Sequence, residues 1–283
     1  MTTPQTLTPT GAAMIGSADP TDLHIMSFNI RLDRTATLPG QADYWPERCP
    51  ALTELLACEA PTAVGVQEAM FHQLTAISDA LPGHYRYIGQ GREGGTDGEY
   101  SAIFYDALRL EVIEWDQFWL SDTPHLAGSA TWGNTVTRIV TWGRFLDMST
   151  GKELILVNTH FDHESENARL RSAEAIMELM EGFSPRLPTI LTGDFNAPAA
   201  ASGAYDALVG SGVFDDAWDA AAQKLTPAYG TFPNYKDPVP GGMRIDWILA
   251  TPDVDVRQAA INTFTLEGRY PSDHAPVQAL VRL

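Results

Sequence analysis

LTGDFNAP, residues 191–198, closes an apolar run that begins at Leu187 and passes through Ile190, and it closes it with a carboxylate and a carboxamide one residue apart. Side chains alternate across a strand, so Asp194 and Asn196 are expected on one side of it. A carboxylate at a buried strand end is costly unless it is paired or bound to metal. The same kind of ending recurs along the chain. Asn29 interrupts LHIMSFNI (23–30), Glu68 closes TAVGVQE (62–68), His160 closes ELILVNTH (153–160), Asp246 lies inside RIDWILA (244–250), and Asp273 with His274 leads into the last apolar run. Taken singly, Asn29 or Asp246 is a strand-end hydrogen-bonder, His160 a satisfied core histidine, Asp273 the cap of a turn and Glu68 a helix N-cap. Together they point to one site, because strand ends that gather several titratable groups mark functional clefts.

The donor types select the chemistry. Asn, Asp and Glu oxygens without thiolates suit Mg²⁺ or Mn²⁺, whereas a zinc site would use more His or Cys. Such an ion polarises a phosphoryl oxygen while water attacks in line, and two imidazoles beside it stabilise the transition state or move protons if acids orient them.

Further apolar runs, SAIFYD (101–106), TRIVTWGRFLD (137–147), LPTILTGD (187–194) and the segment 274–283, read as strands covered on both faces. Helices are expected from Pro46 to about Cys58, around Phe71, Leu74, Ile77 and Leu81, and after His163, where Ala173, Ile176, Met177 and Met180 recur at helical spacing. The Gly-rich segment 89–99 reads as a loop, since no helix follows it at the spacing of a phosphate-binding motif. Many short strands with few helices predict an α/β layered sandwich. The domain is expected over 22–283, after a flexible Thr/Pro/Ala/Gly leader over 1–21.

With 283 residues, 44% of them hydrophobic, the chain can bury a sizeable core. Its net charge of −18 repels polyanions over long range, so strong duplex nucleic-acid binding is not expected, while a bound cation keeps small phosphate esters accessible. Cys49 and Cys58 sit roughly 13 Å apart if one helix carries both, too far to bridge. Reduced thiols and the lack of a signal or spanning segment suggest a cytoplasmic protein that is not membrane-bound.

The motifs SFNIR, VQE, NTH, GDFN, RIDWI and SDH, in that order over 23–283, resemble the endonuclease/exonuclease/phosphatase superfamily with its DNase I-like fold. The resemblance implies a four-layer α/β/β/α sandwich with helices outside two mixed sheets. It implies Asn29, Glu68 and Asp273 as metal ligands, Asp194 as the acid that activates water, and Asn196 as the amide that holds phosphate and metal. It also implies His160 and His274 as a pair flanking the phosphate, with Asp246 orienting His274. Glu99 is the expected acid behind His160. WPER (45–48), FWLSDTP (118–124), GSATWGN (128–134) and NTHFDHES (158–165) resemble compact bacterial members, nearer to deadenylase-like nucleases than to DNA-repair endonucleases.

On the substrate side, His163 either reaches the same rim or lies exposed at a helix start, and Arg31 meets either phosphate or Asp33. Arg48, Arg138 and Arg169 are phosphate candidates with structural ion pairs as their alternative, and Trp45, Trp119, Trp132 and Tyr235 are candidates for stacking. The expected activity is metal-dependent hydrolysis of a short nucleic acid, nucleotide or small phosphate ester. A sugar or inositol phosphate, a sphingomyelin-like diester or duplex DNA are alternatives with the same site, and a catalytically idle binder of phosphate ligands is the alternative of a different class.

Overall fold

The computed structural model describes residues 12–283, so residues 1–11 of the expected leader lie outside the described residues. The rest of that leader is tied down at Met14, Ile15 and Gly16, whose backbone N–H groups all donate to the buried carboxylate of Glu59 at 2.7–3.2 Å.

Two mixed sheets form among the described residues. Sheet I contains β1 (Leu23–Asn29), β2 (Ala63–Gln67), β3 (Tyr85–Ile88), β4 (Ile103–Asp106), β10 (Gln223–Lys224), β12 (Asp255–Ile261) and β13 (Val277–Arg282) in the order β10-β12-β13-β1-β2-β4-β3. Sheet II contains β5 (Leu110–Trp119), β6 (Ile139–Asp147), β7 (Lys152–His160), β8 (Thr189–Asp194), β9 (Asp215–Asp216) and β11 (Asp246–Ala250) in the order β5-β6-β7-β8-β11-β9. The helices α1 (Trp45–Glu59), α2 (Phe71–Ala80) and α3 (Glu166–Gly182) lie where the apolar spacing predicts them.

Residue parity builds the layers. Leu23 and Ile25 of β1 meet Leu154 and Leu156 of β7, Ile190 of β8 and Ile248 of β11 in a core between the sheets. The opposite parity, Met26 and Phe28, packs under α1 and α2, and Ile155, Val157 and Leu191 pack under α3. This is the expected α/β sandwich, with two sheets face to face and helices outside.

Along the inter-sheet face the same parity turns polar toward one end: Leu23 and Ile25 lead to Ser27 and Asn29, Leu156 to Asn158 and His160, Ile190 to Thr192 and Asp194, and Ile248 to Asp246. A hydrogen-bonded floor separates the dry core from these ends. Gln67 Nε2 donates to Asn158 Oδ1 at 2.7 Å, Thr192 Oγ1 donates to the same oxygen at 3.0 Å, and Asn158 Nδ2 donates to the carbonyls of Val66 and Ala102. Gly65 is fixed by this floor, since a Cβ there would lie 2.1 Å from Thr192 Oγ1.

Five strands, β3, β5, β9, β10 and β12, are not among those expected from the sequence. β5 is a sheet edge whose Glu111, Glu114, Trp115 and Asp116 are exposed, and a bulge between Val112 and Glu114 breaks its alternation. β12 is likewise bulged between Val256 and Gln258. No helix of the described residues is long and apolar enough to cross a membrane.

Candidate active site

Sheet register places the sequence-predicted groups side by side. Asp194 on β8 is the register partner of His160 on parallel β7 and of Asp246 on antiparallel β11, so three adjacent strands present three functional side chains in one row. From sheet I come Asn29, the last residue of β1, Glu68, one residue beyond β2, and His274, three residues before β13. Asn29, Asp194, Asp246, His160 and His274 are all nearly buried.

Asn29 Nδ2 links the two sheets, donating to Glu68 Oε1 at 3.0 Å and to Asp194 Oδ2 at 2.9 Å. Its Oδ1 accepts the Arg31 N–H at 3.0 Å. Arg31 (φ 58°), Glu68 (φ 60°) and Asn196 (φ 49°) hold left-handed backbone, uncommon for non-glycine residues.

That conformation revises one expectation. β8 ends at Asp194, so strand alternation does not align Asn196 with it. Instead Asp194 Oδ1 accepts the Asn196 N–H at 2.9 Å in a tight turn. The turn carries the Asn196 amide nitrogen to His160 Nε2 (2.9 Å) and to the Phe161 carbonyl (3.0 Å). An amide nitrogen only donates, so Nε2 of His160 keeps its lone pair and Nδ1 carries the proton.

The two histidines differ in protonation. His274 Nδ1 faces both oxygens of Asp246, at 2.9 and 3.2 Å. Burial disfavours its cation, but Asp246 and then Asp194 outweigh that and raise its pKa to about 10. His160 is pushed well below its ordinary value by burial and by the positive charges of Arg138 and His274, so it is neutral. Burial, and then the charge of Asp246, raise Asp194 to about 7. Burial opposes the ionised form of Glu68, yet hydrogen bonding from Asn29 and the charges of His274 and Arg31 hold its pKa below the ordinary carboxylate range.

These donors fit a hard cation. Ligand atoms of Glu68, His160 and Asp194 lie within 4.8 Å of one another. With its nitrogen inward, the Asn29 amide opposes the N–H of a protonated His274 Nε2 at 3.4 Å. With its oxygen inward it would satisfy His274 but face the Glu68 and Asp194 oxygens at the 3.0 and 2.9 Å now spanned by its nitrogen. A divalent cation among those oxygens would resolve the conflict, and carboxylates with a carboxamide suit Mg²⁺ and Mn²⁺.

Other expectations shift. The Asp273 carboxylate is turned to Arg31 Nε at 3.5 Å and accepts from Ser272 Oγ at 3.2 Å, so it stands behind Arg31 rather than with Glu68 and Asp194. Arg31 does not pair with Asp33, which binds His72; it sits among Asp43, Glu68 and Asp273. Glu99 does not hold His160. Its carboxylate accepts from Arg92 Nη1 at 2.7 Å, and no hydrogen bond joins it to the histidine among the described residues. Arg92 lies in the same loop, seven residues before Glu99, and takes the acid first. Arg48 is structural, its guanidinium donating to the carbonyls of Ile30, Arg31, Leu32 and Pro271. Arg169 donates to the Asp162 carbonyl.

A cavity of about 360 Å³ opens over this row, and Glu68, His160, Asp194, Asn196 and His274 are in its wall. Exposed His163 is at its rim, where its Nδ1 faces Arg138 Nη2 at 3.2 Å. Arg92 and Phe232 also line it, and sequence reasoning missed both because they lie in irregular segments without periodicity. Trp45, Trp119, Trp132 and Tyr235 do not line it.

The family described as the endonuclease/exonuclease/phosphatase family matches residues 26–274. Among solved structures, a mannosyl-6-phosphatase of Bacteroides thetaiotaomicron VPI-5482 is 35% identical, with a TM-score of 0.85 over 92% of this chain and 100% of that one. An endonuclease/exonuclease/phosphatase from Bacteroides vulgatus is 34% identical, with a TM-score of 0.85 over 93% of this chain and 99% of that one. Protein angel of Drosophila melanogaster is 26% identical over 167 residues, covering 56% of this chain; the chain spans 46% of that relative's length.

Proposed function

Since the chain belongs to the endonuclease/exonuclease/phosphatase family, we propose that it is a divalent-metal-dependent hydrolase of a small phosphate ester, with sugar phosphates as the favoured class. The observation that carries this reading is the row His160–Asp194–Asp246 facing Asn29, Glu68 and His274, a neutral imidazole and an imidazolium on either side of a buried carboxylate. A cavity of about 360 Å³ suits a small ligand rather than a polymer. The net charge of −18 argues against a long nucleic acid, and the mannosyl-6-phosphatase likeness at 35% identity favours a sugar phosphate.

A cation held by Glu68, Asn29 and Asp194 would supply Lewis-acid polarisation of a phosphoryl oxygen and neutralise developing charge. Asp194, buried in the row beside Asn29 and His274, would orient the attacking water and accept its proton. His274, cationic and backed by Asp246, donates to a non-bridging or leaving oxygen as the P–O ester bond breaks and the water oxygen bonds to phosphorus. Asn196, by donating to Nε2, holds His160 as the neutral tautomer beside the site.

The test is a panel of sugar phosphates, nucleotides, short RNA and DNA and lipid head-group esters, assayed with Mg²⁺ or Mn²⁺ and again with chelator. Hydrolysis of a small ester that chelator abolishes and Asp194→Ala removes is expected. No turnover of any ester with either metal would refute the proposal.

A further inference from the structure

We propose that Met14, Ile15 and Gly16 form an acid-released latch: Glu59 and His24 hold the segment closed at neutral pH, and protonation of His24 opens it while the two-sheet core stays folded. The latch lies at the opposite end of β1 from Asn29, away from the catalytic row.

The first support is a carboxylate grip. Glu59, the last residue of α1, is buried, and its two oxygens accept the N–H groups of Met14 at 2.7 Å, Ile15 at 3.2 Å and Gly16 at 3.0 Å. Successive backbone donors around one carboxylate make an anion nest, and here the anion comes from the chain itself. Left-handed Gly16 (φ 74°) turns its carbonyl to His24, which is fully buried and donates from Nδ1 at 2.7 Å. Residues 19–22 are pinned separately. Arg109 Nη1 donates to the Asp19 carbonyl, and Arg282 donates to Thr21 Oγ1 and to the Asp22 carboxylate. Opening therefore stops at that anchor.

The second support is a hydrogen-bond chain with no place for an extra proton. With its proton on Nδ1, His24 accepts at Nε2 from Gln278 Nε2 at 3.0 Å. Gln278 Oε1 accepts from Asn262 Nδ2 at 3.0 Å, and the same nitrogen donates to Glu59 Oε1 at 2.9 Å. Asn262 Oδ1 in turn accepts the Phe264 N–H at 3.0 Å. A proton on His24 Nε2 would oppose the Gln278 nitrogen. Rotating the Gln278 amide would set its nitrogen against Asn262 Nδ2, and rotating Asn262 as well would turn its oxygen on the Glu59 carboxylate. The ring is faced by Glu59 from α1, Gln278 from β13 and the Gly16 carbonyl, and of these Glu59 alone is charged. Burial outweighs the attraction of Glu59 and lowers the His24 pKa to about 4. A lowered value gives closure that is fully present above the ordinary 6.5 and lost as pH falls toward 4.

The test is native-state hydrogen exchange on the whole chain between pH 7 and pH 5, corrected for intrinsic exchange, for the wild type and for His24→Gln. In the wild type the opening constant of the Met14, Ile15 and Gly16 amides should rise roughly 20-fold, as values of 6.5 open and about 4 closed require, while the core-strand amides of Val64 and Val157 stay protected. Carboxylates, ordinarily near ~4, add little above pH 5, so this window separates His24 from Glu59. The His24→Gln variant has no ring to titrate, and its profile should be flat. Should it fold poorly, the wild-type profile decides alone. A flat wild-type profile, opening only together with Val64 and Val157, or a rise in His24→Gln equal to that of the wild type would each overturn the latch.

Discussion

His160 and His274 face each other across the mouth between the sheets, one at the end of β7 in sheet II and the other just ahead of β13 in sheet I, and both are nearly buried. Burial acts on them alike, disfavouring the cation. Their neighbours differ. His274 meets an acid at 2.9 Å and is driven to about 10, whereas His160 meets an amide donor at 2.9 Å, lies within the field of Arg138, and stays neutral. One fold thus holds a proton donor and a lone pair on either side of Asp194. What separates their roles is the partner that the opposing strand supplies, since Asp246 reaches His274 from the other sheet.

The largest effect expected from breaking this contrast is on chemistry. His274→Ala should lower kcat/KM by about 10²–10⁴-fold, the range for a positioned acid or base. Asp246→Asn comes next. It leaves the shape unchanged but removes the charge that holds the His274 proton, so ¹⁵N spectra of the ring should show its pKa falling from about 10. The raised value implies stability that is fully present below the ordinary 6.5 and lost as pH climbs through about 10. Urea unfolding should therefore show Asp246→Asn weakened by about 1.5–3 kcal/mol at low pH, with the gap to wild type closing on the alkaline side. A gap that widens with rising pH would contradict the imidazolium. His160 has the opposite sign: its depressed pKa gives stability present above 6.5 and lost as pH falls.

Asn196→Ala should cost less. It removes the donor to His160 Nε2 and the bond to the Phe161 carbonyl, and it puts alanine at φ 49°. A loss of about 1–3 kcal/mol in stability is expected from these together, and the single Nδ1-protonated signature of His160 in ¹⁵N spectra should give way to mixed tautomers. Asn196→Gly relieves the backbone without restoring the amide, so it should recover stability but not the tautomer.

How much of this contrast the sequence discloses follows from where each residue lies. Asn29, His160, Asp194 and Asp246 continue the parity of apolar inter-sheet positions in their own strands, so a two-residue period identifies them. The floor of Gln67, Asn158 and Thr192 obeys the same parity but reads as ordinary strand polarity until the facing sheet shows what each one binds. Asn196 reaches the cavity beside Asp194 through a left-handed turn instead of strand alternation. Asp273, Arg92 and Phe232 have positions set by loops, where neither period applies. Arg31 shows the same limit: its acid partners come from residues 43, 68 and 273, none of them predictable from spacing. The edge strand β5 escaped notice because its exposed charges and bulge erase the alternation that marks a half-buried strand.

The smallest expected effect concerns Glu99. If both histidines were held by acids, Glu99 would be the counterpart of Asp246, and its removal would resemble Asp246→Asn. In the structure its carboxylate belongs to Arg92 at 2.7 Å, and the near partners of His160 Nε2 are the Asn196 amide at 2.9 Å and Asp194 Oδ2 at 3.4 Å. Burial raises the Glu99 pKa against the pull of Arg92. Glu99→Gln should therefore leave the ¹⁵N signature of His160 where it is, with the ring neutral and Nδ1 protonated. It should change kcat/KM by no more than about threefold, the scale of one altered charge at a partly screened distance. A drop comparable to that of Asp246→Asn, together with a shift of the His160 proton to Nε2, would mean that both imidazoles are held by acids and that the two sides of the site do the same work.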